Sequence, residues 1–421
     1  MLLDLPLKCR LDRSSSFLLL LLIYFLFRFR YWVTHGGEKL LEERRSLRPT
    51  SETAMYYMFG QWIRSFRDLP LKVHQTCNVF RYETQQTRPL IRAREIHWNE
   101  AHTAHADKEE ALENLEMAWR SYLYLINDCC CFYGLRLRRP EWDKFPGSEH
   151  TDVMDTIMPC GKVLQTVGAH YLGQKFSKVF DIKFLSRENV QDYAHITCYG
   201  ISTRLLAALL SLHGDDQGLV IPPILARYQV VIVPITAKDP AAVLARCREI
   251  KQLLQAANVR VLLDDGNESS GEKFYHWEMK GVPIRIEVGP RDVQNNRMVV
   301  CCRDTRTKAD VDNANLIPAI QKTMEDIQAR LQANARAYHE SMVRDVATVD
   351  ELKAALLKGG FARFPFYSMG KDGEEGDKLV HELTGGEVRG SRHNEPAPPA
   401  GTLCVITGRP AASYAYAARS Y

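Results

Sequence analysis

Apolar and polar positions along this chain follow three different rhythms. Residues 71–83 and 90–103 hold short β-prone runs carrying many polar side chains, the pattern of an antiparallel sheet that presents one face to a ligand. Leu112, Leu115, Trp119, Tyr122 and Ile126 recur at three- and four-residue steps and predict a helix over 107–127, with Asp107 and Glu110 as a capping-box start. Further helices are predicted over 52–66 and, after a turn at Gly200, over 203–212. The polar loop 213–218 and a short strand at 219–221 end in Pro222-Pro223, the clearest boundary in the chain.

Beyond that boundary strands and helices alternate. Strands are predicted at 228–235, 259–263, 284–288 and 298–302, and helices at 240–257, 272–280 and 309–333. Near-continuous apolar strands in this alternation predict a compact α/β domain, 226–333, with helices on both faces of its sheet. The tail, 345–421, is expected to form a smaller unit with a Gly/Pro/Glu-rich loop at 385–401 and an aromatic end. The fold class is therefore α/β and multi-domain, without internal repeats.

Composition adds three constraints. A chain of 421 residues with 45% hydrophobic and 25% charged residues is ordinary globular material for two or three domains. Its formal charge is +4, of which residues 1–32 contribute +3 from five Lys/Arg against two Asp. Any nucleic acid must therefore be met by local basic patches. The eleven cysteines show no Cys-x-x-Cys and no regular spacing, which suits ordinary thiols in a reducing compartment, and the cytoplasm is the expected location. The apolar run 17–27 is too short for a membrane span, which needs ~20 residues. Its length suits a signal-peptide core, yet no small-residue cleavage site follows. Its Ser, Leu and Phe have pyrimidine-rich codons, so segment 1–32 is expected to be a gene-model artefact.

Three constellations carry chemistry. In Arg48-Pro49-Thr50-Ser51-Glu52, a hydroxyl and a carboxylate after a rigid turn suit an ammonium group, or equally cap the helix that follows. Around Arg81, Glu83 and 92–105, strand geometry puts Arg81 with Glu83 on one face, and likewise Trp98, Glu100 and His102. Cations beside carboxylates there suit a phosphate-bearing ligand with an amine, or cross-strand ion pairs. The spacing of His97, His102 and His105 matches no metal signature, so no metal is expected there. In Gly200-Ile-Ser202-Thr-Arg204 an arginine opening a helix suits a phosphate, or is a solvated first-turn residue. No phosphate loop or dinucleotide fingerprint is present, so any ATP would be held by arginines.

Together the strings RPTSE (48–52), FRYE (80–83), REIHWNEAHTAHA (94–106), LGQKFSKVF (172–180), GISTR (200–204), HGDDQGLVIPP (213–223) and KGVPIRIEVGPRD (280–292) resemble prolyl-tRNA synthetase of the eukaryotic/archaeal type, in that family's order, from about Val33 to Tyr421. The resemblance implies a class II antiparallel catalytic core at 33–223, an anticodon-binding domain at 226–333 and a small α+β C-terminal domain at 345–421. It implies activation of proline with ATP and Mg²⁺ to prolyl-adenylate, then transfer to tRNA-Pro. Thr50 and Glu52 would hold the proline imino group, and Arg81, in motif 2, the α-phosphate and the carboxylate. Trp98, Glu100, His102 and His170 match the proline pocket. Glu83, Arg92, Gln165, Ser202 and Arg204 would meet ATP, with Arg204 near the γ-phosphate. Arg285, Glu287 and Arg291 are the candidates for reading anticodon guanines.

The sequence also departs from the family. Motif 1, which belongs to the family's homodimer interface, is expected before Val33 and is absent. Gly168 stands where threonine is usual. The positions of a structural zinc site hold Tyr367, Gly376, Cys404 and Thr407, so no zinc is expected. No membrane partner is expected. The rival of a different class is an inactive, truncated paralogue that only binds tRNA; the retained Thr50, Glu52, Arg81, Glu83, His102 and Arg204 favour the ligase. A threonyl-type enzyme is disfavoured by the RPTSE and HTAHA strings.

Overall fold

The computed structural model describes residues 31–235 and 240–421, so the apolar run 17–27 and nearly all of segment 1–32 lie outside the described residues. The chain forms two compact units: one of residues up to Tyr122 with Gly134–Ala207 and Met342–Tyr421, the other of Leu123–Tyr133 with Ala208–Ser341. Among the described residues no helix is long and apolar enough to cross a membrane.

In the first unit β1 (Trp32–Gly36) and β2 (Lys39–Ser46) make a hairpin. The main strands follow: β3 (Leu71–Phe80), β4 (Glu95–His105), β5 (Leu135–Arg138), β6 (His150–Ile157) and β7 (Val163–Gly173), then a small pair, β8 (Lys183–Leu185) and β9 (Gln191–Tyr193), and finally β10 (His195–Ser202). Helix α1 (Glu52–Trp62) stops short of 66, and α2 (Lys108–Leu123) gives way to a π-helical turn before 127. The Asp107 cap forms by half: its carboxylate accepts from Glu110 N at 2.8 Å, while the Glu110 carboxylate turns to His105 at 3.2 Å. Helix α3 (Lys175–Phe180) and the first turn of α4 (Arg204–His213), which continues into the second unit, complete this part.

One face of the central strands is divided between packing and chemistry. At one end Tyr56 and Phe59 of α1 and Phe176 of α3 cover Ala104, Leu172 and Ile196 in one apolar cluster. The other end is left open. The opposite face is closed through Thr103, which accepts from Asn114 of α2 at 3.4 Å. Gly200 is a correction to the sequence reading: it lies inside β10, paired with Glu100 of β4 and Gly168 of β7, and the chain turns only after Ser202. A Cβ there would meet the Asn99 carbonyl at 2.7 Å, so close strand packing, not a turn, requires the glycine.

The second unit carries a five-stranded sheet of β11 (Val230–Pro234), β12 (Val261–Leu263), β13 (Ile284–Val288), β14 (Arg297–Cys302) and β15 (Lys308–Asp312). Strands β12, β11 and β13 run parallel, and β13, β14 and β15 antiparallel. Its helices are α5 (Pro240–Ala256), α6 (Ser270–Met279), α7 (Pro290–Gln294) and α8 (Leu316–Ser341). Val230 and Ile232 pack with α5 and α8 on one side, and Val231 and Val233 with Trp277 of α6 on the other. Two sequence expectations fail here. Residues 219–221 make no strand, because Leu219 N and Ile221 N bond the loop carbonyls of Met279 and Gly281 before the prolines end pairing. The helix expected from 309 starts at Leu316, since 308–312 pair with β14 as an edge strand.

The tail returns to the first unit with β16 (Val343–Asp345), α9 (Val349–Lys358), β17 (Phe361–Phe366), α10 (Glu374–Thr384), β18 (Glu387–Arg392) and β19 (Ser413–Ala418). Its strands do not form a sheet of their own. Strand β18 pairs with β5, giving one ten-stranded sheet in the order β16-β17-β19-β18-β5-β6-β7-β10-β4-β3. Gly390, at φ +133°, allows the crossing: a Cβ would lie 2.1 Å from the Arg138 carbonyl oxygen.

Candidate active site

The open end of the sheet is the floor of a cavity of about 530 Å³. Two rows of residues cross strands β4, β10 and β7 there: Glu100, Gly200, Gly168, and below them His102, Cys198, His170. The two glycines leave the upper row open. Thr50, Glu52, Arg81, Glu83, Arg92, Trp98, Glu100, Gln165, His170, Ser202 and Arg204 all line this one cavity, so the structure brings together eleven predicted site residues spread over 155 positions.

One end is acidic. Glu52 opens α1, is 3% exposed and accepts from the Thr50 hydroxyl; Ser51 serves as the N-cap position and donates instead to Glu100. Gln75 Nε2 bridges Ser51 Oγ and Glu100 Oε1, each at 2.7 Å. Burial works to raise the Glu100 pKa, but hydrogen bonds from His102, Ser51 and Gln75 outweigh it and hold the carboxyl below its ordinary value. Two carboxylates therefore face one guanidinium, Arg81, leaving a negative charge for an incoming cation.

His102 lies behind this wall rather than in it. It is fully buried between Tyr56 and Glu100, with Nδ1 2.9 Å from the Tyr56 hydroxyl and Nε2 3.0 Å from Glu100 Oε2. The Glu100 carboxylate can only accept, so Nε2 carries a hydrogen. Its reach to a ligand is through Glu100. Glu52, His102 and Cys198 do bring ligand atoms within 4.8 Å of one another. His170 faces the cavity and takes Thr151 Oγ1 at 2.9 Å on Nδ1; burial, then His102, pushes its pKa down to about 4.

The other end is basic. Arg81 follows the end of β3, donates Nε to the Pro49 carbonyl at 3.1 Å and sits 5.4 Å over the Trp98 ring. Arg92 bonds Glu83 at 3.2 Å and a main-chain oxygen of Tyr421 at 2.6 Å. Arg204 begins α4, donates Nε to the Ile91 carbonyl at 2.8 Å, and its backbone N–H is accepted by Ser202 Oγ at 3.3 Å. Burial, with Arg81 and Arg92 nearby, brings the Arg204 pKa down to about 10, the mark of guanidiniums massed where an anion would sit.

The second unit's candidates are arranged differently. Arg285 and Glu287 lie on β13, 7% and 5% exposed, and bond each other at 2.9 and 3.1 Å. Arg285 also donates to Glu278 at 2.6 Å and stacks 4.0 Å over Phe274, while Lys308 holds Glu287 at 2.8 Å. Their polar atoms are thus largely committed within the unit. Arg291, on α7, is exposed.

In the tail the four zinc-site positions do not fit a tetrahedral zinc. The Tyr367 hydroxyl donates to the Asp372 carbonyl at 2.6 Å and accepts from Gly376 N at 3.3 Å, which links two of the four positions directly. A Cβ on Gly376 would meet the Phe366 and Tyr367 rings at 2.8 Å, so aromatic carbon occupies the space a thiol at that position would need. The Thr407 hydroxyl accepts from Arg409 N in its own turn.

Comparison with known proteins gives this geometry its class. The model of the tRNA synthetase class II core domain (G, H, P, S and T) matches residues 31–213, that of an anticodon binding domain 229–323, and that of the prolyl-tRNA synthetase C-terminal region 349–421. The sheet and its cavity are those of a class II aminoacyl-tRNA synthetase. The proline–tRNA ligase of Methanococcoides burtonii is 47% identical over 351 residues, 83% of this chain and 73% of that protein. That of Thermococcus kodakarensis is 43% identical over 400 residues, 93% and 81% respectively. The structure of Giardia lamblia prolyl-tRNA synthetase with prolyl-adenylate superposes with a TM-score of 0.91 at 44% identity, over 95% of this chain and 84% of that one. The Cryptosporidium parvum enzyme, solved with halofuginone and AMPPNP, gives 0.89 at 34%, over 94% and 82%. The chain belongs to the prolyl-tRNA synthetase family.

Sequence reasoning missed Tyr56, Gln75, Arg139, Asp155, Cys198 and Arg389, which join the site only through strand register or tertiary contact. Ser51 was named only within the RPTSE string, without its bond to Glu100.

Proposed function

We propose that this chain activates proline with ATP to prolyl-adenylate and transfers the prolyl group to tRNA-Pro. The observation that carries the reading is a single cavity with two carboxylates at one end and three arginines at the other, bridged by Arg81. A zwitterionic amino acid with a cationic imino group and a polyphosphate fill that charge pattern in only one sense. The imino group sits with Thr50, Glu52 and Glu100, its ring against Trp98 and His170. The proline carboxylate lies at Arg81, where it meets the α-phosphate of ATP, whose Mg²⁺ arrives on the phosphates as part of the substrate.

A carboxylate oxygen attacks the α-phosphorus, the bond to the bridging oxygen of the β-phosphate breaks, and pyrophosphate leaves with the electron pair. Arg81 is set to meet the charge growing on the α-phosphate, and Arg204, Arg92 and Ser202 hold the departing phosphates. Gln165 faces the nucleotide, and Glu83 accepts from its adenine side while being oriented by Arg92. No side chain need act as nucleophile or base, so positioning and fixed positive charge supply the rate. A hydroxyl of the terminal adenosine of tRNA then attacks the prolyl carbonyl, releasing AMP. On the second unit, Arg291 reads an anticodon guanine, a role its exposure supports, while Arg285 and Glu287 hold each other in a rigid charged pair. Every residue named belongs to one copy of the chain, and a cytoplasmic site of action suits its free thiols.

The test is proline-dependent ATP–pyrophosphate exchange on the purified chain. Exchange with proline and with none of the other amino acids is expected. A folded chain that binds tRNA-Pro yet exchanges with no amino acid would favour the tRNA-binding paralogue instead.

A further inference from the structure

The cavity wall beside Gln165 stands on a buried ion cluster that ties β6 to the C-terminal strands. Asp155 of β6 is fully buried. Its two oxygens take Arg139 Nη1 and Nη2, both at 3.0 Å, together with Arg389 Nε at 2.7 Å and Nη2 at 3.3 Å. Arg139 also donates to the Arg389 carbonyl at 2.6 Å and to Gln165 Oε1 at 3.2 Å. Glu387 accepts from Arg389, and Asp143 lies 3.4 Å from Arg139 Nε, so three carboxylates face the two guanidiniums. Burial works to raise the Asp155 pKa, and the two guanidiniums overcome it and keep the carboxylate charged.

Arginine has donors and no acceptor, so the Gln165 amide must give Arg139 its oxygen and keep its NH₂ for the cavity. The register slips between Met154 and Asp155 against β7, a bulge that re-aims Gln165. Its Nε2 then lies 3.3 Å from where a Cβ on Gly168 would sit, on the cavity floor. We propose that Arg389, supplied by β18, is a positioning residue for the reaction: with Asp155 it fixes Arg139, and Arg139 locks Gln165 as a hydrogen-bond donor to an acceptor oxygen of the nucleotide. The proposal rests on the adenylate-forming reading of the cavity.

The experiment is a double-variant cycle with Arg389→Met, Gln165→Ala and their combination, read as KM for ATP, KM for proline and kcat in pyrophosphate exchange. With Gln165 present, Arg389→Met should lower kcat/KM for ATP by ~10- to 100-fold. With Gln165→Ala present the further loss should be about twofold or less, because the two act as one unit. Added guanidinium ion should restore part of the activity of Arg389→Met, and Arg389→Lys should retain part. Losses that multiply in the double variant, or full activity of Arg389→Met, would overturn the proposal. Should the Met variant not fold, as judged by its melting curve, Arg389→Lys carries the same cycle. The cycle is also read on ATP affinity by calorimetry, which judges the positioning role even when the unaltered chain exchanges no pyrophosphate, the outcome that defeats the reading of the reaction alone.

Discussion

On the proposed reading Glu52 and Arg81 divide the work of the cavity between charge recognition and charge stabilisation, and their replacement should separate the two. Glu52→Gln removes a hydrogen bond to a charged group, worth ~1.5–3 kcal/mol, so the KM for proline should rise ~10- to 100-fold with a smaller change in that for ATP. Arg81→Ala should cut kcat itself by ~10²- to 10³-fold, since its charge matters most as the α-phosphate becomes crowded. Steady-state pyrophosphate exchange distinguishes the two patterns. The residues behind these predictions were legible in the chain because strand period places Trp98 and Glu100 on one face, and because RPTSE and GISTR are compact strings. Gln75, Tyr56 and Asp155 were not legible. Gln75 meets Glu100 across 25 positions and Tyr56 meets His102 across 46, and only the register of paired strands or the docking of a helix decides such meetings.

Elements set the strain and the acid sensitivity. Gly218, at φ +136°, has no room for a Cβ, which would fall 2.4 Å from Met279 Cα. Gly218→Ala should therefore destabilise its unit by about 1–3 kcal/mol, seen as a lower unfolding midpoint in urea. His150 on β6 and His170 on β7 are both pushed by burial from 6.5 to about 4. A histidine that titrates lower when folded leaves the unfolded chain binding more protons between those values. Stability should therefore be complete above pH 6.5 and fall as pH drops toward 4, and His150→Gln should flatten the fall in melting temperature measured between pH 7 and 5. The alternation of helices and strands after residue 226 could be read from sequence, but the ends of two elements could not. The run from 309 has helix-forming residues yet pairs with β14, because a hairpin edge close to a sheet outweighs modest propensity.

On the scale of the whole molecule, the proposed activation site and the proposed anticodon-reading residues fall on different units, so the two roles should be separable. Arg291→Ala should leave proline-dependent pyrophosphate exchange unchanged and weaken charging of tRNA-Pro by the equivalent of about 1–3 kcal/mol, a difference that parallel exchange and aminoacylation assays would expose. The ten-stranded sheet has a different consequence. Strand β18 pairs with β5, and Arg389 closes on Asp155 from 234 positions downstream. A ribosome making this protein therefore delivers Arg389's wall of the cavity only after 234 more positions have followed Asp155. Until then Asp155 is held by Arg139 alone and β5 is an open edge exposed to other chains. An interrupted message would yield not a weaker enzyme but an unfinished sheet, suited to disposal rather than to partial work.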